Sequence, residues 1–213
     1  MSIITELKVM GGRGGKVTIH FDDLSSLDIS KEALEESGIY TGLAMSPQQI
    51  RELQQRDRYF SCLNAALHFL AHRFRSKREV DVRLHQRGFS GETINTVLKK
   101  LEEKKLLDDV EFARTWTENR KSFSPRSKFL IRLELKQKGI SGDLLDETIA
   151  DLDDDVNAYQ AGLKKTRLLK SLPREEFTTK LSRYLRTKGF SYSVTEKAIE
   201  RLWQQIQNTE KND

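Results

Sequence analysis

Hydrophobic positions recur along this chain with two different periods. Near the start they alternate. Ile3, Thr5, Leu7 and Val9 form one alternating run, and Val17, Ile19 and Phe21 form a second, with Gly11-Gly12-Arg13-Gly14-Gly15 between them. A period of two puts every other side chain on one face of a strand, and a glycine run marks a turn. The segment therefore reads as a β-hairpin with a flexible tip. Further on the period becomes helical. Leu63, Ala66, Leu67, Leu70, Ala71 and Phe74 form one stripe, and Phe112, Ala113 and Trp116 another. Tyr159, Leu163 and Thr166 form a weaker third.

The helical part repeats. Val80/Ile131/Leu181, Leu84/Leu135/Leu185, Arg87/Lys138/Lys188 and Gly88/Gly139/Gly189 recur at spacings of about 50 residues, and Leu98/Ile149/Ile199 and Leu101/Leu152/Leu202 keep the same offsets. Each unit reads as three helices. Val80 and Leu84, and their counterparts, lie four apart on one face of the second helix. A glycine ends that helix at C′, with a basic residue before it favouring the C-terminal dipole, and a serine follows to cap the third helix. Cap signals agree with these boundaries: Ser76-Lys77-Arg78-Glu79 as a capping box, Ser124-Pro125 opening the second helix of unit two, Ser193-Val194-Thr195-Glu196 as another box, and Asp108 opening unit two. Short capped helices are expected at Ser30-Lys31-Glu32-Ala33-Leu34 and from Ser46-Pro47. The expected fold is mainly α: an elongated tandem array of three three-helix repeats, preceded by a small N-terminal β-hairpin and short helices. The expected divisions are 1–57, 58–108, 109–155 and 156–208, with 209–213 a disordered tail.

Composition narrows the function. One cysteine cannot form an internal disulfide, and no apolar run approaches the ~20 residues that span a bilayer. No signal peptide is visible, so a cytoplasmic protein without a membrane partner is expected. Charged residues make up 32% of the chain but the net charge is only +5, because opposite signs alternate in blocks. Residues 110–138 hold 8 basic and 3 acidic side chains, whereas 139–155, read as an acidic helix, hold 7 acidic and no basic ones.

Several apparent chemical motifs have plainer readings. Gly11–Gly15 lacks the following helix and Lys-Ser/Thr that a phosphate loop needs, and is read as a hairpin tip. His68 and His72 are spaced to share a metal but lack a third ligand, so they are read as exposed helix residues. Cys62, beside Leu63, is read as a small core residue. Asp151–Asp155 lacks the glycine and distal glutamate of a calcium loop, and is read as a solvated helix end or an electrostatic docking face. No catalytic residue, metal or cofactor is expected.

The basic clusters carry more. Arg73, Arg75, Lys77 and Arg78 lie at the junction of the first and second helices of unit one. Arg120, Arg126 and Lys128, followed by Arg132, take the matching place in unit two, and Arg183, Arg186 and Lys188 continue on unit three. These are the candidate partner-binding residues. Their partner would be anionic, either a nucleic-acid backbone or an acidic protein surface. The third helices begin with acidic residues, Glu92, Asp143 and Glu196 among them. Acids there disfavour reading of DNA bases.

Certain runs resemble a known family. Leu70-Ala71-His72-Arg73-Phe74-Arg75-Ser76, Leu84-His85-Gln86-Arg87-Gly88-Phe89 and Leu106-Leu107-Asp108-Asp109-Val110-Glu111-Phe112-Ala113-Arg114 with Arg120 downstream are similar to the RecX family of bacterial RecA regulators. So are Ile131 through Gly139-Ile140 and the tandem repeats themselves. The resemblance covers about residues 58–205. The chain departs from the family at Ser122-Phe123-Ser124-Pro125-Arg126, where a glycine-rich turn is usual, and at Glu79-Val80, where Glu-Leu is. The resemblance implies a non-enzymatic inhibitor, a monomer, that binds the RecA–DNA filament and restrains recombinase, ATPase and coprotease activity. DNA, single- or double-stranded, would be met weakly or within the filament. A general DNA-binding or transcription-regulatory helical module is the alternative.

Overall fold

The structure, a computed structural model, describes residues 1–10 and 15–210. The tip at 11–14 and residues 211–213 of the expected tail lie outside the described residues. The chain forms two compact units, Met1–Leu107 and Asp108–Asp213, and ten helices are present among the described residues.

Unit one opens with β1 (Ser2–Val9) and β2 (Lys16–Phe21), paired antiparallel as the alternation predicts. Two further strands join them. β3 (Ser26–Ser30) pairs with β2, and the two-residue β4 (Ala44–Met45) pairs with the start of β1, giving the order β3-β2-β1-β4. The alternation in β1 is broken. The register shifts between Ile4 and Glu6, leaving Thr5 as a bulge. Ile4 therefore faces the core, while Ile3 is 44% exposed. Ile4, Val17, Ile19, Phe21 and Ile29 pack against Ala33 of α1 (Lys31–Ser37) and Leu53 of α2 (Pro47–Leu70).

The helix capped by Ser46 does not stop at the expected division at 57. α2 runs from Pro47 to Leu70 without interruption. No glycine or proline falls inside it after Pro47, so nothing in the chain ends it. Leu53 packs in the sheet core, whereas Cys62, Ala65 and Ala66 pack against Val80 and Leu84 of α3 (Lys77–Gln86) and Ile94, Val97, Leu98 and Leu101 of α4 (Gly91–Glu103). The expected stripe on α2 is therefore shifted: Leu67 is 38% exposed and Phe74, beyond the helix, 65%.

Unit two contains α5 (Asp109–Phe123), α6 (Lys128–Gln137), α7 (Gly142–Thr148), α8 (Asp154–Thr166), α9 (Arg174–Thr187) and α10 (Tyr192–Glu210). Asp108 caps α5 by accepting from the Val110 and Glu111 amides. Three local expectations are corrected. Ser124 does not open α6: it follows α5 as its C-cap, and Ser127 caps α6. Ser193 does not open α10, which already begins at Tyr192, with Ser191 Oγ accepting from Val194 N. Residues 139–155 are not one helix. α7 ends at Thr148, and Asp153 then caps α8 by accepting from the Asp155 and Val156 amides. α10 also extends through Glu210, into the expected tail.

Candidate docking surface

The second helices, α3, α6 and α9, share one local design. Their inner positions, Val80 and Leu84, Ile131 and Leu135, Leu181 and Leu185, are all 0% exposed. Each helix ends in the same turn. Gly88, Gly139 and Gly189 have φ of 84°, 91° and 85°. The next residue donates back to the inner leucine: Phe89 N to Leu84 O at 3.3 Å, Ile140 N to Leu135 O at 3.0 Å, Phe190 N to Leu185 O at 3.3 Å. The glycine amides donate to His85, Lys136 and Arg186 carbonyls at 2.9–3.0 Å. This is the Schellman pair, and its C′ residue must be left-handed, which favours glycine. The fixed turn sets where each second helix points its outer face.

That outer face carries Arg78, Val82 and His85 on α3, Phe129, Leu133 and Lys136 on α6, and Thr179, Arg183 and Arg186 on α9, all exposed. The positions correspond from repeat to repeat, but their chemistry does not. On α6 two apolar side chains stand in water, Phe129 at 63% and Leu133 at 39% exposure. On α9, Thr178, Thr179, Ser182 and Thr187 line one shallow cavity with Arg183 and Arg186.

The other expected binding residues divide by unit. Near α3, Arg73 donates to both carboxylate oxygens of Glu79, at 2.8 and 3.3 Å. Arg75 lies 4.1 Å from the Phe69 ring centroid, a cation–π contact. Burial, with Arg73 beside it, pulls the Arg75 guanidinium below the usual arginine value. Lys77 Nζ is 2.7 Å from Glu102, and Arg78 is exposed.

In unit two the residues converge. Glu134 on α6 receives Arg120 Nε at 2.6 Å, Trp116 Nε1 at 2.9 Å, and Arg126. The Arg120 guanidinium also lies 4.5 Å from the Trp116 ring centroid. Lys188 reaches Ser124 Oγ at 3.4 Å and lies 5.4 Å from the Tyr184 ring centroid. Burial lowers its ammonium pKa, and Arg126 and Arg120 lower it further against the pull of Glu134. The loop between α5 and α6 is held at several points. Lys164 Nζ donates to the Ser122 and Phe123 carbonyls, both at 3.1 Å, and Ser127 N donates to Lys188 O at 3.0 Å. Lys128 donates through Nζ to Ala150 O at 2.9 Å and through its amide to Asp154 Oδ1 at 2.6 Å. Arg132 pairs with Asp146 at 2.6 Å, and Asp155 with Lys197 at 3.3 Å. The acidic stretch is thus met by groups of its own unit. Burial raises the Asp154 carboxyl pKa, opposed by the Lys128 amide hydrogen bond.

Sequence reasoning missed Glu134, Trp116 as a hydrogen-bond donor and Lys164, and it read Asp154 only as part of an acidic run, not as the acceptor of the Lys128 amide. A signal existed for the first: Glu134 is the only acidic residue in α6, Lys128–Gln137. Cys62 is fully buried, and burial pushes its thiol up to about 11. The His68 and His72 rings meet edge to face at 5.3 Å. Among the described residues, no cluster of three or more His, Cys, Asp or Glu could hold a metal ion, and no helix is long and apolar enough to cross a membrane.

Comparison with known proteins follows the helical modules. The family model described as RecX, first three-helix domain, matches residues 62–101, and that of RecX, second three-helix domain, matches 108–149. A protein of Prosthecochloris aestuarii (strain DSM 271 / SK 413) described as "Regulatory protein RecX" is 34% identical over 140 residues, covering 66% of this chain and 92% of that one. The chain belongs to the RecX family. A RecX of Clostridium perfringens (strain SM101 / Type A) is 26% identical over 207 residues, covering 95% of this chain and 97% of the relative. The fold agrees as well. A crystal structure titled regulatory protein RecX superposes with a TM-score of 0.65 at 23% identity, over 92% of this chain and 98% of that one. RecX from Lactobacillus salivarius gives 0.57 over 68% and 97%, also at 23% identity.

Proposed function

We propose that this RecX-family chain is a non-enzymatic inhibitor of the RecA recombinase. It binds the RecA–DNA filament through three-helix modules at about 58–108, 109–155 and 156–208, and restrains strand exchange, ATP hydrolysis and coprotease activity. The observation that supports this reading is the exposed outer face that recurs in position, with different side chains, on α3, α6 and α9 behind a fixed Schellman turn. A filament presents one site many times. Modules joined in one chain make each later contact intramolecular, so weak faces add to high avidity.

The outward residues Arg78, Arg183 and Arg186 are the proposed contacts, with Arg73, Arg75, Lys77, Lys128 and Arg132 beside them. Arg120, Arg126 and Lys188 hold the α5–α6 loop in position. DNA phosphates within the filament suit the arginines and hydroxyls of α9.

The test is RecA ATP hydrolysis and strand exchange on single-stranded DNA, with and without the full chain. The protein should slow both, and Arg183→Glu with Arg186→Glu should weaken that inhibition and flatten its salt dependence. Removing residues 156–213 should weaken filament binding more than the two charge reversals do. RecA rates indifferent to the protein, together with salt-steep binding to bare duplex, would replace this reading with a general DNA-binding module.

A further inference from the structure

Three cations in unit two share one carboxylate. Arg120, Arg126 and Lys188 come from α5, the α5–α6 loop and the end of α9, and all act on Glu134 of α6. The basic residues before α3 have separate partners: Arg73 has Glu79, and Lys77 has Glu102. Glu134 is the inner member of its cluster, with a side chain 12% exposed against 25% for Arg120 and 28% for Arg126. Its oxygens already accept from Arg120, Arg126 and the Trp116 indole. That is close to the four lone-pair positions a carboxylate offers.

The donors of the cluster are far from used. A guanidinium has five N–H groups and an ammonium three. Arg120 gives Nε to Glu134 and Arg126 gives Nη1, while the buried Arg126 Nε has no acceptor among the described residues. The Lys188 ammonium makes one long hydrogen bond among the described residues, 3.4 Å to Ser124 Oγ. That hydroxyl, accepting from Lys188, keeps its own hydrogen to donate. Lys164 is already taken by the Ser122 and Phe123 carbonyls that end α5. Three positive charges against one negative leave an excess of about two. The carbonyl end of α9, where Lys188 stands, offsets only about half a charge. Lys188 registers the crowding, since burial and then Arg126 and Arg120 depress its ammonium.

We infer that this cluster is a phosphate site, where a dianionic phosphate group seats against Arg120, Arg126, Lys188 and the Ser124 hydroxyl. A phosphate with one or no ester bond carries about −1.5 to −2 at neutral pH, which matches the excess. A carboxylate or an internal phosphodiester supplies only about half of that. Several tetrahedral oxygens also suit donors that arrive from three directions, and each arginine can hold two of them at once. The group is either inorganic phosphate or the terminal phosphate of a nucleic-acid strand. Because its donors come from α5, the α5–α6 loop and α9, a bound phosphate stiffens the joint between the second and third modules. The site is separate from Arg183 and Arg186 on the outer face of α9, and it needs no RecA.

The test titrates inorganic phosphate into the full chain at constant ionic strength, with chloride as the anion it replaces. Calorimetry follows binding, as does tryptophan emission, since the Trp116 ring centroid lies 4.5 Å from the Arg120 guanidinium. Saturable binding with a dissociation constant on the order of 1 mM is expected. Lys188→Gln and Arg126→Gln should each weaken it about tenfold. Lys188→Arg should lose less than Lys188→Gln, and the exposed Lys170→Gln should change nothing. Unaltered emission without phosphate verifies that unit two stays folded in each variant. A single-stranded oligothymidylate with and without a 5′-phosphate separates the two sources. Binding about tenfold tighter with the 5′-phosphate, a difference lost in Lys188→Gln, assigns the site to a strand end. Equal binding of the two strands, with inorganic phosphate still bound, assigns it to free phosphate. A response to phosphate no different from that to chloride would overturn the inference. So would binding that survives both glutamine variants, or that only Arg183→Gln with Arg186→Gln removes.

Discussion

The junctions leading into α3 and α6 are written alike, as basic runs ending in a capping serine, Ser76 or Ser127, that is 0% exposed. Their side chains are committed differently. Before α3, Arg73 closes on Glu79, which also completes the capping box of the same helix, and Arg75 covers Phe69. Every one of these contacts is local. Before α6, the loop is fastened to α8 and α9 by Lys164, Lys188 and Asp154, and its arginines converge on Glu134. One basic run serves its own helix, and the other joins successive modules. Equivalent sequence positions in a repeat array are not equivalent in energy, because each interior junction also has a neighbour to hold.

The comparison can be broken most sharply at the two carboxylates. Glu134→Ala leaves Arg120, Arg126 and Lys188 crowded without their shared anion, and should destabilise unit two by about 3 kcal/mol. Glu79→Ala loses one capping hydrogen bond and an ion pair whose arginine is 41% exposed, and should cost unit one only about 1 kcal/mol. The chain supplies separate reporters. Both tryptophans, Trp116 and Trp203, lie in unit two, and the single cysteine lies in unit one. Urea unfolding followed by tryptophan fluorescence and by Cys62 reactivity reads the two effects independently. Because burial holds the Cys62 thiol near 11, it should react at neutral pH only as unit one opens.

Gly88 and Gly189 sharpen the contrast, since their φ angles differ by one degree. A Cβ at Gly88 meets nothing within 4 Å, whereas at Gly189 it would lie 2.5 Å from Ser127 Oγ and 3.0 Å from Leu130 Cβ. Gly88→Ala should cost about 1 kcal/mol, from left-handed strain alone. Gly189→Ala adds a steric clash with the α6 cap and should cost about 2–3 kcal/mol. Equal losses would show that the junction yields without cost.

A smaller effect concerns pH. Asp154 has its carboxyl pKa raised by burial, so the folded state holds that proton to higher pH than the unfolded chain does. Its contribution is largest below the ordinary aspartate value of 3.8 and is lost as pH rises through the raised folded value. Asp154→Asn keeps an acceptor for the Lys128 amide and removes the titration. Its stability should therefore fall less than that of the natural chain across that window. Asp154→Ala orphans the amide and should cost about 1 kcal/mol.

The smallest expected change is in Arg78→Ala, an exposed substitution that should alter stability by under about 0.5 kcal/mol. Chemical denaturation checks it. A larger loss would mean that the α3 face is built into the fold.

What the sequence revealed follows the range of each interaction. The glycine columns were legible because a Schellman turn constrains one residue chemically, whatever surrounds it. Caps at Ser30, Ser46, Ser76 and Asp108 were legible for the same reason. Ser124 misled because a serine before proline looks like an N-cap, while Ser127, three residues on, has the buried position. The Thr5 bulge left no mark, since Ile3-Ile4 offers two phases and only the packed sheet selects Ile4. β3 and β4 were missed because each is short and depends on a neighbouring strand. Charge was visible at Arg120, Arg126 and Lys188, but not its destination. A one-dimensional reading places them in separate repeats, and only packing of α9 beside the α5–α6 loop brings them together.

The uninterrupted α2 has a mechanical consequence. Its early turns are fixed to the sheet by Leu53 and by Asp57, which accepts from Ser30 N, and its later turns are fixed in the α3–α4 core by Cys62 and Ala66. It acts as a torsion shaft between the two. Deleting one residue from its middle would turn one end relative to the other by about 100° and shorten it by about 1.5 Å, so Leu53 and Cys62 could not both keep their seats. Across this stretch, the chain should tolerate many substitutions and almost no change of length.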